Sequence, residues 1–235
     1  MKTHWNNVNI EYNRSWSTLA QKEMSRREMD FINYYLKKKK PKIVLDIGVG
    51  TGRVLRNLIK NTGDDTQIFA IDYAKKMVSY CQKTFKTNKK VKKIAVCDVS
   101  RDNIDIFNSF DFVTAIRILQ YNKNWVEILK KIYKKINKKG ILIFSMPNYN
   151  SINRFIGNRS GHTTVLGLKK ILPPIGFEII EVRSMTKIPD FFYQCSFADN
   201  VLYTKILIFL EKTLEIIFGK TFLGRVLFIV VRKKN

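Results

Sequence analysis

Cysteine is scarce: Cys81, Cys97 and Cys195 lie far apart and form no C-x-x-C pair. That spacing argues against a disulfide framework or a cysteine zinc site, and it fits a reducing cytoplasm. Histidine is scarcer, with only His4 and His162, so imidazole chemistry is confined to two positions. Acidic residues number 19 against 43 Lys and Arg, for a net charge of +24. Such a surplus points to nucleic acid or an anionic membrane surface. The basic residues are mostly lysine, however, spread through Lys37–Lys40, Lys83–Lys93, Lys130–Lys139 and the C-terminus beside frequent Asn and Ile. AT-rich codon usage accounts for that pattern equally well. Long apolar runs are missing too. No uncharged stretch approaches the ~20 residues of a membrane-spanning helix, and the opening MKTHWNNVNIEYNRSW has no apolar signal core. The expectation is a cytoplasmic protein that does not cross a membrane. Its 235 residues fit one α/β domain with additions at the ends, and no internal repeat or second domain is visible.

Against these absences stands one dense stretch, Lys42 to Leu55, KIVLDIGVGTGRVL. Ile43-Val44-Leu45 is a short run of β-formers ending at Asp46. Gly48, Gly50 and Gly52 alternate after it, and helical spacing begins at Arg53. A buried strand, a glycine turn and a helix start let the backbone pass close to a ligand where free N–H groups favour an anionic group. The spacing is G-x-G-x-G after an acid rather than the G-x-G-x-x-G of dinucleotide sites.

The stretch resembles the first motif of class I S-adenosylmethionine (SAM) methyltransferases. The resemblance runs unbroken from about residue 42 to 147 and extends to the end of the chain. It implies an α/β, doubly wound, mainly parallel seven-stranded sheet with an antiparallel last strand. It also implies one methyltransferase domain: an N-terminal lid helix in 1–41, a SAM-binding core in 42–147, substrate-side loops and a helical insertion in 148–224, and the last strand in 225–235. The cofactor pocket it implies comprises Asp46, Gly48, Val49, Gly50, Gly52, Asp72, Tyr73, Met77, Asp98, Val99, Ile116 and Arg117.

The elements follow from pattern. A helix from about Thr18 carries Leu19, Met24, Met29, Phe31, Ile32, Tyr35 and Leu36 as a rough apolar stripe and ends at Lys37–Lys40 before Pro41. Gln67–Asp72 is a second strand, and an acid at its tip can accept both ribose hydroxyls of the cofactor. Ala74 to Phe85 reads as a helix, Val91–Val96 as a third strand leading to Asp98 and Val99, and Phe110–Ile116 as a fourth. In the family the acid at the third strand end bonds the adenine amino group; Asp102 and Asp105 read as surface charges. A helix over 123–137 stops at Asn137-Lys138-Lys139-Gly140, and Ile141–Met146 is the fifth strand. Gly176–Ser184 and Arg225–Arg232 are the last pair. Functional residues at successive strand tips place the ligand at that edge of the sheet.

Substrate contacts are expected from Tyr12, Trp16, Tyr121, Asn148 and Arg154, and the catalytic candidates are His162 and Tyr149. No metal is expected. Neither N-P-P-Y nor D-P-P-Y follows the fourth strand, where Arg117-Ile118-Leu119-Gln120-Tyr121 stands, and no Pro-Cys nucleophile is present. What remains is methyl transfer to O or N of a small-molecule, glycan or lipid-precursor substrate. An RNA substrate using the basic surface is the alternative, and a SAM-binding protein without catalysis a third. The apolar helix of the insertion, around 201–218, is expected to pack on the body and wall the substrate mouth, with a peripheral membrane contact as its second reading.

Overall fold

The computed structural model describes residues 16–151 and 163–234. Seven strands form one sheet in the order β3-β2-β1-β4-β5-β7-β6. They are β1 (Ile43–Ile47), β2 (Gln67–Asp72), β3 (Val91–Val96), β4 (Phe110–Ala115), β5 (Ile136–Pro147), β6 (Phe177–Met185) and β7 (Val226–Lys233). The first five run parallel, and β7 pairs antiparallel with both β5 and β6. The order reverses between β1 and β4. Their C-terminal ends therefore flank a crevice, where open α/β sheets take their ligands.

Helices cover both faces. On one lie α1 (Leu19–Lys39), α2 (Arg53–Asn61) and α3 (Lys75–Thr84), packing Ile32, Leu36, Leu55, Leu58 and Val78 against Val44, Phe112 and Phe228. On the other lie α4 (Trp125–Lys135) and α5 (Val165–Ile175), whose Ile128, Leu129, Ile132, Leu168 and Leu172 meet Leu45, Val113, Leu142 and Phe144. Strands buried on both faces read as continuous apolar runs, which is why β1, β2 and β4 are plain in the sequence.

α1 opens with a capping box: the Thr18 hydroxyl accepts from the Gln21 N–H, and the Gln21 side chain accepts from the Thr18 N–H. At its far end Lys40 takes a left-handed conformation and donates its N–H to Leu36 O. The seam between α4 and β5 departs from the sequence expectation. The helix ends at Lys135, and the strand already begins at Ile136. Asn137–Gly140 is a bulge inside β5, since Phe110 pairs with Ile136 but Phe112 with Ile141. A Cβ on Gly140 would lie 2.5 Å from Ile136 Cγ2 and 2.8 Å from Asn137 O, so glycine serves the bulge rather than a helix stop.

The sixth helix, α6 (Val201–Phe218), lies between β6 and β7. It joins a third, smaller core of Ala20, Met24, Ile188, Tyr193, Ala198 and Leu207 that fixes it against α1. Only Leu207 and Glu211 of α6 are buried, so most of its apolar face does not pack on the body as expected. No α6 residue lines the cavity described below. No helix among the described residues is long and apolar enough to cross a membrane.

Candidate active site

A cavity of about 960 Å³ opens at the C-terminal edge of β1, β2 and β4. Its floor is the glycine turn after β1. Gly48, Gly50 and Gly52 all have positive φ, at 77°, 51° and 83°. The turn is tied to β2 through Gly48 and Val49 N–H donating to Ile71 O at 2.8 and 3.1 Å. The three glycines serve different needs. A Cβ on Gly48 would sit 2.0 Å from Ile118 Cγ2 and one on Gly52 2.7 Å from Phe85, whereas one on Gly50 would meet nothing within 4 Å. Gly50 faces the open cavity, and its N–H donates to Asp72 Oδ2 at 2.9 Å.

Asp72, at the tip of β2, is the polar anchor beside that turn. Its second oxygen accepts from Ala74 N–H at 2.9 Å. Burial raises its pKa, while these backbone donors pull the other way. Tyr73 N–H is a third backbone donor to this carboxylate, which retains acceptor capacity for a further donor. Asp46 sits beneath the turn and does not line the cavity. Its Oδ1 accepts from the Thr114 hydroxyl at 2.7 Å, and its Oδ2 is buried with no hydrogen-bond partner. Burial pushes this carboxyl up to about 7. Gly52 also lies outside the lining, packed on Phe85.

Val49, Tyr73, Met77, Asp98, Val99, Ile116 and Arg117 line the cavity. Asp98 is held in a local turn in which its Oδ1 accepts from Ser100 N–H at 3.1 Å and Ser100 Oγ at 2.6 Å. Asp102, expected as a surface charge, accepts from Asp98 N–H at 2.8 Å. Lys131 Nζ gathers the carbonyls of Val99, Arg101 and Asp102 at 3.2, 3.2 and 2.9 Å, fixing the loop that presents this wall.

The roof is α1. Glu28 is fully buried and faces two guanidiniums, Arg53 Nη1 at 2.8 Å from its Oε2 and Arg117 Nη2 against its Oε1. Burial alone would raise the Glu28 pKa; the charges of Arg117 and Arg53 outweigh it and hold the carboxyl below the ordinary glutamate value. Arg53 also donates to Ser25 Oγ at 2.9 Å. Both guanidiniums lie over the Trp16 ring, at 4.4 and 5.0 Å from its centroid. Trp16 and Glu28 thus clamp the lid to the start of α2 and the end of β4.

Arg117 reaches this position with φ 62°, its N–H donating to Ser145 Oγ at 2.8 Å. Thr186 on the opposite rim has φ 62° as well. Left-handed backbone at non-glycine residues, a β-branched one above all, clusters at functional sites. The far end of the cavity is formed by Gln21, Lys22, Gln120, Tyr121, Thr186, Asp190, Tyr193, Gln194 and Arg225. Arg225 pairs with Asp190. Tyr193 donates to buried Glu211 Oε1 at 2.5 Å; burial first, then the Glu211 charge, raises its pKa, so it remains a phenol.

Trp16 and Tyr121 are among the lining residues, as are the cofactor-side positions other than Asp46 and Gly52. Asn148 is buried at the end of β5, its amide donating to Gly224 O at 2.8 Å and its side-chain oxygen accepting from Asn150 N–H at 3.1 Å. Tyr149 is exposed beside it, and neither lines the cavity. Tyr12, Arg154 and His162 lie outside the described residues. Glu28, Arg53 and Arg225 are among the polar groups that sequence reasoning missed, as are Gln120, Asp190 and Gln194. Glu28 carried a signal: it interrupts the buried stripe Ala20, Met24, Phe31, Ile32, Tyr35 at helical spacing, and an acid there needs partners. Among the described residues, no group of three or more His, Cys, Asp or Glu could hold a metal ion.

A family model described as a methyltransferase domain matches residues 38–170. No curated protein sequence matches the chain. Solved structures do. A SAM-dependent methyltransferase from Clostridium acetobutylicum is 14% identical over 100% of this chain and 96% of its own, with a TM-score of 0.64. The magnesium protoporphyrin IX methyltransferase of Synechocystis, with bound S-adenosylhomocysteine, is 14% identical over 98% and 97%, with a TM-score of 0.66. The N-methyltransferase NodS from Bradyrhizobium japonicum, likewise with S-adenosylhomocysteine, is 14% identical over 100% and 97%, also at 0.66. At such identities the likeness is one of fold.

Proposed function

The chain belongs to the methyltransferase-domain family, and from that premise we propose that it transfers the methyl group of SAM to an oxygen or nitrogen of a small-molecule, glycan or lipid-precursor acceptor. The observation that carries the acceptor class is the roofed cavity: about 960 Å³, closed by the chain's own α1 and ending in polar side chains. That volume is at the upper end of ordinary ligand pockets, room for a cofactor and a modest acceptor.

The residues present fit SAM. Gly50 leaves open space beside the turn, Asp72 keeps acceptor capacity, and Asp46 holds a buried unpaired oxygen beneath. In this reading Asp72 accepts the ribose hydroxyls, and the glycine turn, with Asp46 behind it, holds the methionine end. Asp98, Val99, Tyr73 and Met77 hold the adenine side. SAM when bound supplies an activated methyl on a sulfonium. The chain contributes position and dryness: α1, clamped through Glu28, excludes water, and Arg225, Gln194, Gln120 and Tyr121 orient the acceptor. Such orientation is worth effective molarities of ~10⁵–10⁸ M. Tyr193, a phenol whose proton is committed to Glu211, offers a wall or a hydrogen-bond acceptor rather than a base. Proton acceptance from a hydroxyl acceptor is assigned to His162, whose neutral imidazole, with an ordinary pKa of ~6.5, suits that task near neutral pH.

The test is S-adenosylhomocysteine release across pools of metabolites, sugars and lipid precursors, with mass spectrometry of the product. A methylated small molecule or lipid precursor is expected, and His162→Ala should lower its kcat by ~10²–10⁴-fold with cofactor affinity intact. Turnover confined to RNA pools would replace this acceptor class. Near-normal kcat in the variant would remove the base.

A further inference from the structure

α6 leaves uncovered what a water-facing helix normally hides. Leu202, Ile206, Phe209 and Ile216 point away from the body, 67%, 50%, 67% and 84% exposed. They recur at helical spacing opposite Leu207 and Glu211, the two residues that face inward. Leu210 and Ile217 widen the stripe, and Phe222 is a further exposed aromatic past the helix end. Contiguous apolar surface of this kind marks an interaction site.

The charges sort to match. The exposed ionisable residues of α6 are Lys205 and Lys212, and Lys220 follows. Both acids of the helix turn inward: Glu211 accepts from Ile188 N–H at 2.9 Å and from Tyr193, and Glu215 lies 3.4 Å from Arg27. Asp199, just before the helix, accepts from Leu19 N–H at 3.0 Å. On neighbouring α1, Glu23 and Asp30 are both paired with Arg26. The outward half of α6 is therefore apolar and cationic, on a chain of net charge +24. A partner must account for both the apolar stripe and the purely cationic flank. An anionic bilayer interface accounts for both.

The same surface reaches the rim of the cavity. Within one turn Asp190, Tyr193 and Gln194 line the cavity while Phe191 and Phe192 are exposed. Tyr203 of α6 donates to Phe192 O at 3.0 Å and its ring lies 6.2 Å from that of Phe197, another exposed aromatic. Aromatic residues thus connect the first turn of α6 to the mouth.

We infer that α6, with Phe191, Phe192 and Phe197, docks the protein onto an anionic lipid bilayer, lying in the interface plane. This inference stands on the surface alone and is independent of which acceptor is methylated. The experiment is cosedimentation of the full chain with vesicles of phosphatidylcholine mixed with phosphatidylglycerol, and with vesicles of phosphatidylcholine alone. Binding is expected to the mixed vesicles and to be much weaker without the anionic lipid. Phe209→Ser and Ile216→Ser should each lower the partition coefficient roughly tenfold, and Lys205→Glu and Lys212→Glu by about fivefold or more each. The double variant Lys92→Glu/Lys93→Glu, on β3, makes the same change in net charge as the two α6 reversals together and should retain binding. Circular dichroism and S-adenosylhomocysteine titration serve as folding controls. Failure of the wild type to bind would overturn the inference. So would equal losses from the β3 and α6 charge variants with none from the apolar ones, which would mean diffuse attraction. A concentration-dependent oligomer abolished by Phe209→Ser, in place of vesicle binding, would assign the face to a second copy of this chain.

Discussion

At the scale of single residues, the glycine turn separates two roles that look identical in sequence. Gly48 has no room for a side chain: a Cβ would lie 2.0 Å from Ile118 Cγ2 at φ 77°. Gly48→Ala combines overpacking of ~1–3 kcal/mol with a left-handed backbone cost of ~1–2 kcal/mol, so it should lower the thermal midpoint markedly. Gly50→Ala carries only the backbone cost, since nothing lies within 4 Å of the added methyl. Its loss should appear in SAM affinity, about tenfold or more, with stability changed little beyond ~1–2 kcal/mol. Titration calorimetry paired with thermal melts checks this, and a Gly50→Ala protein that binds SAM normally would put the ligand elsewhere. The alternating glycines were legible because no other residue type tolerates three such φ values in five positions. That one glycine faces protein and another faces the cavity was not legible, because it depends on Ile118, seventy residues away.

The elements were legible wherever one physical rule decided them. β1, β2 and β4 are buried on both faces and therefore continuous in hydrophobicity. α1 is legible as a helix, but the pairing of its most consequential residue is not, because the partners of Glu28 lie on other elements. That ion triad sets a test of the lid. Removing one member of a buried charge pair costs ~3–5 kcal/mol when its partners stay charged. Glu28→Gln should lower stability by about 3 kcal/mol and loosen α1, seen as faster amide exchange over 19–32. The pH dependence follows from sign. The Glu28 pKa is held below its ordinary value of 4.5, so its contribution is fully present above that value. It is lost as pH falls through the lower folded-state pKa. Wild type should therefore lose more stability than Glu28→Gln on acidification below about pH 4.5. Parallel losses in the two proteins would show that the triad does not couple lid to body. α6 failed the sequence expectation for a related reason: its amphipathic pattern was clear, but periodicity does not say which medium an apolar face meets.

For the whole molecule, the question is what the charge of +24 does. Several lysines have structural duties: Lys90 caps Ile59 O and Thr62 O at 3.0 and 2.9 Å, Lys233 caps Tyr133 O and Ile136 O at 3.0 and 2.8 Å, and Lys131 holds the loop beside Val99. The exposed pair Lys75–Lys76 follows the tip of β2, whereas Lys37–Lys40, Lys89–Lys90 and Lys138–Lys139 precede β1, β3 and the main paired stretch of β5, and Lys39 Nζ donates to Lys139 O at 3.1 Å. The latter runs gather at the N-terminal edge of the parallel strands, opposite the tips that carry the cavity. Strands of five or six residues rise ~3.3 Å per residue, so roughly 17–20 Å of sheet separates this basic edge from the reaction site. RNA held there is in the wrong place to present a base beneath α1. The expectation is RNA binding that is indifferent to sequence and falls steeply on a log–log plot against salt. It should be undisturbed by saturating S-adenosylhomocysteine, and RNA should not stimulate cofactor turnover. Fluorescence anisotropy with unrelated RNAs, run from about 50 to 200 mM salt, checks the first two points. One RNA bound at the upper end of that range with roughly 1,000-fold preference, and methylated, would require that the strand route around α1 to the cavity. The acceptor would then be a polynucleotide, and the roofed cavity would have to open to admit it.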